Sequence, residues 1–146
     1  HQLQLTIADL VAEAHDVHHP IASSLYYEEQ KREAKRAAQI FREERIPKFL
    51  DYFERVLKTN RRGRGHLVGD SISYVDLSMF QLIEGLRYAF PRAMKRFSAR
   101  YPGLAALHDA VAERPNIAAY LASERRLPFN ETGIFRHYPE LDKDVR

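Results

Sequence analysis

The chain has 146 residues, 45% of them hydrophobic and 11% aromatic, with 23 basic against 20 acidic residues and a net charge of +3. A chain of this length buries roughly 70% of its unfolded surface, so one globular domain is expected and disorder is excluded. Cysteine is absent, which excludes disulfides, thiolate zinc sites and cysteine nucleophiles. The charge balance is too even for a nucleic-acid arm, and no apolar run reaches the roughly 20 residues of a membrane helix.

The opening HQLQLTIADL is already helical in character with no capping residue before it. It reads as a helix entered midway, so a longer parent protein is expected. Leu3, Ile7, Leu10, Val11, Ala14, Val17, Ile21 and Leu25 recur at helical spacing across residues 2 to 28. Pro20 lacks an amide proton and should kink or divide that helix. Within it lies HDVHHP, three histidines and a carboxylate in six residues. At about 100° per residue, His18 falls on the apolar stripe beside Ala14 and Ile21, as a core histidine with a backbone partner. His15 and His19 fall on one flank with Ala8, Ala12, Ala22 and Tyr26. That pair has the i, i+4 spacing of a helical zinc pair. On this reading Asp16 faces the opposite side with Asp9 and Glu13, so a third ligand is missing and no metal is expected.

A second helix is predicted from about 32 to 59, its stripe formed by Ala34, Ala38, Ile40, Phe41, Ile46, Phe49, Leu50, Phe53 and Leu57. The loop NRRGRGHLVG follows. Arg61, Arg62 and Arg64 in it have no aromatic stacking platform, and read as a solvated connection and not a phosphate site. In GDSISYVDLSMFQLIEGLRYAF, Ser73 and Asp76 have the spacing of a reciprocal helix cap. The helix they open, about residues 74 to 90, is apolar nearly all round and should be central. Asp76 is therefore expected to be buried and hydrogen-bonded, a structural cap and not a catalytic group. After Pro91 come a short basic helical stretch, a helix carrying Leu104, Leu107, Val111 and Ala112, and another opened by Pro115. Residues 125–146 form a polar tail whose Phe129, Ile134, Phe135 and Tyr138 should pack it back on the bundle. No repeat and no alternating strand pattern occurs, so the expected fold class is an all-α helical bundle around a central buried helix.

HLVGDSISYVDLSMF at residues 66–80 and YPGLAALHDAVAERPNIAAYLAS at 101–123 resemble the C-terminal helical domain of cytosolic glutathione transferases, with the sigma-like group favoured. The resemblance implies that residues 1–146 are one helical domain, the C-terminal half of a two-domain, cytoplasmic, homodimeric detoxification enzyme. In that family an N-terminal thioredoxin-like domain binds glutathione, the co-substrate, and activates its thiol. No βαβ pattern occurs here, so this chain alone is expected not to turn over and to hold no catalytic residue. The first helix would line the cleft for a small hydrophobic electrophile through His15, His19, Tyr26 and Ala22. Glu13, then Asp9, are the candidates to reach glutathione's amino group. Membrane and nucleic-acid partners are not expected. The alternative is a non-catalytic protein-interaction module, of the kind found in an elongation-factor subunit and in tRNA-synthetase complexes.

Overall fold

The computed structural model describes residues 1–143; the last three residues of the tail lie outside the described part. Among the described residues there are helices and loops and no strand. Helix α1 (Gln2–Asp16) ends twelve residues before the predicted limit of 28. Pro20 disfavours helical backbone at the residue before it, and the chain tightens first: His18 N–H donates to His15 O and His19 N–H to Asp16 O, at 3.2 and 3.1 Å. These i→i+3 bonds close the helix. Residues 17–26 then form a turn and loop around Gln30, which is fully buried. The Gln30 Nε2 donates to Ala22 O and Leu25 O at 3.1 and 3.0 Å, and its Oε1 accepts from Ile21 N–H at 2.9 Å.

A single 3-10 turn, Tyr27–Gln30, leads into α2 (Lys31–Ile40), a π-turn Phe41–Arg45, and α3 (Ile46–Thr59). The sequence predicts one helix over this span, and the rod is indeed continuous. Its π-turn sits just before Pro47, the residue that cannot donate to the preceding turn and so forces the widening. Glu13 of α1 clasps Arg45 in this π-turn with two bonds, 2.6 and 2.8 Å.

Helix α4 (Tyr74–Ala89) is the centre of the bundle. Met79, Leu82, Ile83 and Leu86 are fully buried, and α4 packs on both α1 and α6. At its start Ser73 and Asp76 face each other as a reciprocal capping box. Ser73 N–H donates to Asp76 Oδ2 at 2.8 Å and the Ser73 hydroxyl donates to the same oxygen at 3.1 Å. The carboxylate's other oxygen accepts from Leu67 N–H at 2.8 Å, a bond that ties the preceding loop to the cap. Gly65 and Gly69 adopt φ of +87° and +68° in that loop, a left-handed backbone that suits glycine.

A 3-10 turn, Ala93–Arg96, and α5 (Phe97–Arg100) lead to α6 (Pro102–Ala112) and α7 (Pro115–Leu121). Helix α6 packs against α3 and α4. Its first amides, Gly103 and Leu104, donate to the carboxylate of Glu54 on α3 at 3.0 and 2.9 Å. A buried acid from a neighbouring helix thus satisfies orphan donors and favours the positive end of the helix dipole.

The described part of the tail, residues 125–143, runs back over α4. Phe129 stacks on Tyr88 with centroids 4.8 Å apart, and Tyr138 on Tyr27 at 3.8 Å. Phe135 is buried over Gly85, where a side-chain carbon would collide with its ring. Asp142 caps the turn after α4, accepting from Arg92 and Ala93 amides at 2.6 and 3.1 Å. Among the described residues no helix is long and apolar enough to cross a membrane.

Candidate functional site

An open groove of about 880 Å³ lies between α1, α4 and the tail. Helix α1 contributes Ile7, Ala8, Val11, Ala12 and His15, because these positions share one side of a 3.6-residue helix. Helix α4 adds Ser78, Gln81 and Leu82, and the tail adds Leu127, Phe129, Ile134 and Phe135. The floor is apolar. The groove's polar side chains are those of Gln4, His15 and Asp16 on α1, Ser78 and Gln81 on α4, and Asn130 of the tail. The alanines leave the space, and Leu127, 82% exposed, stands at its edge. This is the composition of a small-molecule cleft.

The end of α1 at Asp16 divides the flank that the sequence placed on one helix. His15 lines the groove, but His19 and Tyr26 line a second depression of about 500 Å³ with Arg136, Thr132 and Tyr138; His15 lines this one too. Ala22 lines neither and is instead held by Gln30. Of the acidic candidates, Glu13 is engaged by Arg45, whereas Asp9 is exposed. Ser73 and Asp76 stand at the start of α4, as the capping reading requires.

The same early helix end corrects the reasoning that left His15 and His19 without a third partner. The turn after Asp16 folds His18 against both, with ring centroids 5.0 Å from His15 and 4.7 Å from His19. His15 and His19 rings are themselves 5.0 Å apart. Asp16 does not face away, since its Oδ1 lies 3.4 Å from His15 Nδ1. His18 is the expected core histidine: 2% exposed, with Nε2–H donating to Ile134 O of the tail at 3.0 Å. Burial pushes its pKa down to about 4, opposed by the Ile134 bond and helped by Arg136, His19 and His15. His19 is also lowered, by burial first, then by Arg136 and His15. Both rings are therefore neutral near pH 7. Arg136 and Gln30, which shape this corner, carry no local sequence signal; they are recruited from 117 and 11 residues away from His19.

An all-helical bundle built on a capped central helix, with an apolar groove along its first helix, is the class of structure present. A profile of the glutathione S-transferase, C-terminal domain family matches residues 15–124, and the chain belongs to that family. Over 85 residues it is 34% identical to a glutathione S-transferase of Plasmodium yoelii yoelii, a match covering 58% of this chain and 38% of the relative. It is 32% identical over 90 residues to glutathione S-transferase P 1 of Bufo bufo, covering 60% and 41%. It is 34% identical over 80 residues to S-crystallin SL11 of Nototodarus sloanii, covering 55% and 37%. The matched stretch thus spans about two fifths of each relative's length.

Proposed function

We propose that the chain is the electrophile-binding helical domain of a cytoplasmic, homodimeric glutathione transferase, and that the groove between α1, α4 and the tail receives the hydrophobic acceptor. The observation that carries this reading is the groove itself, with an apolar floor of Ile7, Ala8, Val11, Ala12 and Phe135 and polar tips at His15 and Gln81. Glutathione and the residue that activates its thiol belong, on this reading, to a thioredoxin-like domain preceding α1. The thiolate attacks an electrophilic carbon, forming the C–S bond; a leaving group departs with the displaced electron pair, or the adduct takes up a proton. This chain's part is to desolvate and orient the acceptor. An apolar wall removes water from the approaching carbon, and confinement replaces a bimolecular encounter. His15 orients a polar substituent of the acceptor. Asp9 is the carboxylate open to glutathione's amino group, since Glu13 is committed to Arg45.

The test is occupancy of the groove. The purified chain should bind anilinonaphthalene sulfonate, and chlorodinitrobenzene should displace it. Ala12→Trp, which fills the floor, should abolish both while leaving the circular dichroism unchanged. Displacement that survives Ala12→Trp overturns the assignment of the groove. Conjugation by this chain alone, with glutathione and chlorodinitrobenzene, overturns the placement of the thiol chemistry outside it.

A further inference from the structure

We propose that His15, His18 and His19 form a binding site for a divalent transition-metal ion of the zinc–copper class, with three imidazole nitrogens as ligands and a fourth position open to water. One ring nitrogen from each histidine lies within 4.8 Å of those of the other two. Ligation by three imidazoles at about 2.0–2.1 Å, leaving one position free, is a donor set that zinc accepts, and imidazole suits copper equally.

The hydrogen bonds fix which nitrogen each ring can offer. His18 Nε2–H donates to Ile134 O at 3.0 Å, so its Nδ1 carries the free lone pair. That Nδ1 is fully buried and has no hydrogen-bond partner. A buried acceptor left unpaired is costly, and a metal ion is a partner that would satisfy it. His15 Nδ1 lies 3.4 Å from the Asp16 carboxylate, which selects Nε2 as its ligand atom. The carboxylate or carbonyl behind each imidazole is the outer-shell arrangement that orients metal-bound histidines. His19 Nδ1–H donates to Leu25 O at 3.2 Å, with Gln30 Nε2 nearby at 3.3 Å. Its remaining nitrogen, Nε2, accepts from Arg136 at 3.2 Å.

Arg136 opposes the ion. Its guanidinium holds the His19 lone pair and is always charged. It is itself anchored to the carbonyls of Gly133 and Thr132, at 2.8 and 3.4 Å, so it can leave His19 without losing every partner. Tetrahedral ligation needs nitrogens about 3.3 Å apart. The three nitrogens must therefore draw together on binding, and the half-buried rings of His15 and His19 are the ones able to rotate inward on the fixed His18. An ion held there would lie where the groove and the second depression meet, since His15 lines both. The proposal is independent of the transferase reading.

The experiment titrates the chain with zinc sulfate by calorimetry in a chelator-free buffer, with cobalt(II) as a visible-absorption probe. One zinc per chain should bind saturably, and cobalt should give the intense bands of a tetrahedral site. His15→Ala and His19→Ala, both at partly exposed positions that need not disturb the fold, should each weaken zinc by on the order of a hundredfold. Asp16→Asn should weaken it by about tenfold through the lost outer-shell bond. Arg136→Gln should tighten it, a result that weak surface binding to His1, His66 or His137 would not give. His18→Ala is the direct variant, but its burial makes a folding defect a possible outcome, so the exposed-side variants decide. No saturable zinc binding, or binding indifferent to both His15→Ala and Arg136→Gln, overturns the site.

Discussion

Asp76→Ala tests the physical basis of the fold. The carboxylate is fully buried and accepts three hydrogen bonds: from Leu67 N–H, Ser73 N–H and the Ser73 hydroxyl, at 2.8, 2.8 and 3.1 Å. Alanine leaves the buried Leu67 amide and the part-buried Ser73 amide without their acceptor. Each costs about 1–3 kcal/mol. The hydroxyl can rotate to another partner and adds little. The variant is relieved of burying a charge, which offsets part of the loss. A net destabilisation of about 3 kcal/mol results, larger than the ~1 kcal/mol of an ordinary exposed N-cap. The excess is the Leu67 bond, which a helix cap alone does not have. Urea unfolding followed by far-UV circular dichroism reads the difference, and thermal melting should fall by roughly 10 °C. Ser73→Ala, which keeps both amide bonds to Asp76, should cost only about 1 kcal/mol. If Asp76→Ala shifts the unfolding free energy by less than Ser73→Ala does, the carboxylate does not seal both the loop and the helix start.

Two further outcomes follow from the packing and the titration of buried groups. Gly85→Ala places a carbon inside the contact distance of the Phe135 ring; overpacking of this kind costs about 1–3 kcal/mol. The tail should loosen first, so limited proteolysis after residue 125 should accelerate, and a variant with wild-type protease resistance would refute the close approach. At alkaline pH, burial pushes the Tyr101 phenol up to about 12, and burial and Glu140 raise Tyr27 in the same direction. The folded-state values lie above the unfolded value of about 10, so the stability is complete below that pH. It is lost as pH rises from about 10 toward the folded value, by roughly 2–3 kcal/mol for Tyr101. Tyr101→Phe should flatten that alkaline loss in denaturant titrations; an unchanged slope would show that Tyr101 is not the group titrating.

The helical class, the two-proline punctuation of the later helices and the central place of α4 were legible in the sequence because each rests on local physics. A cap spacing, an apolar periodicity and the missing proline donor act within a few residues of themselves. Asp76 announces its own burial because the helix it opens is apolar on nearly every side. What lies beyond one helix turn was decided by tertiary structure. Glu54 reads as one more charge on a charged helix, yet it is 5% exposed because α6 begins against it. Gln30 and Arg136 become structural only when the loop after α1 folds back and the tail returns over α4. The histidines show the boundary most clearly. Helical spacing alone puts His15 and His19 on one face and excludes a third ligand. Ending α1 at Asp16 turns His18 into contact with both and parts His19 from the groove. Side-chain directions follow from periodicity only while the helix lasts; α1 is closed locally by bonds within its last turn, but the path of the turn beyond it is held by partners far along the chain, Ile134 for His18 and Arg136 for His19.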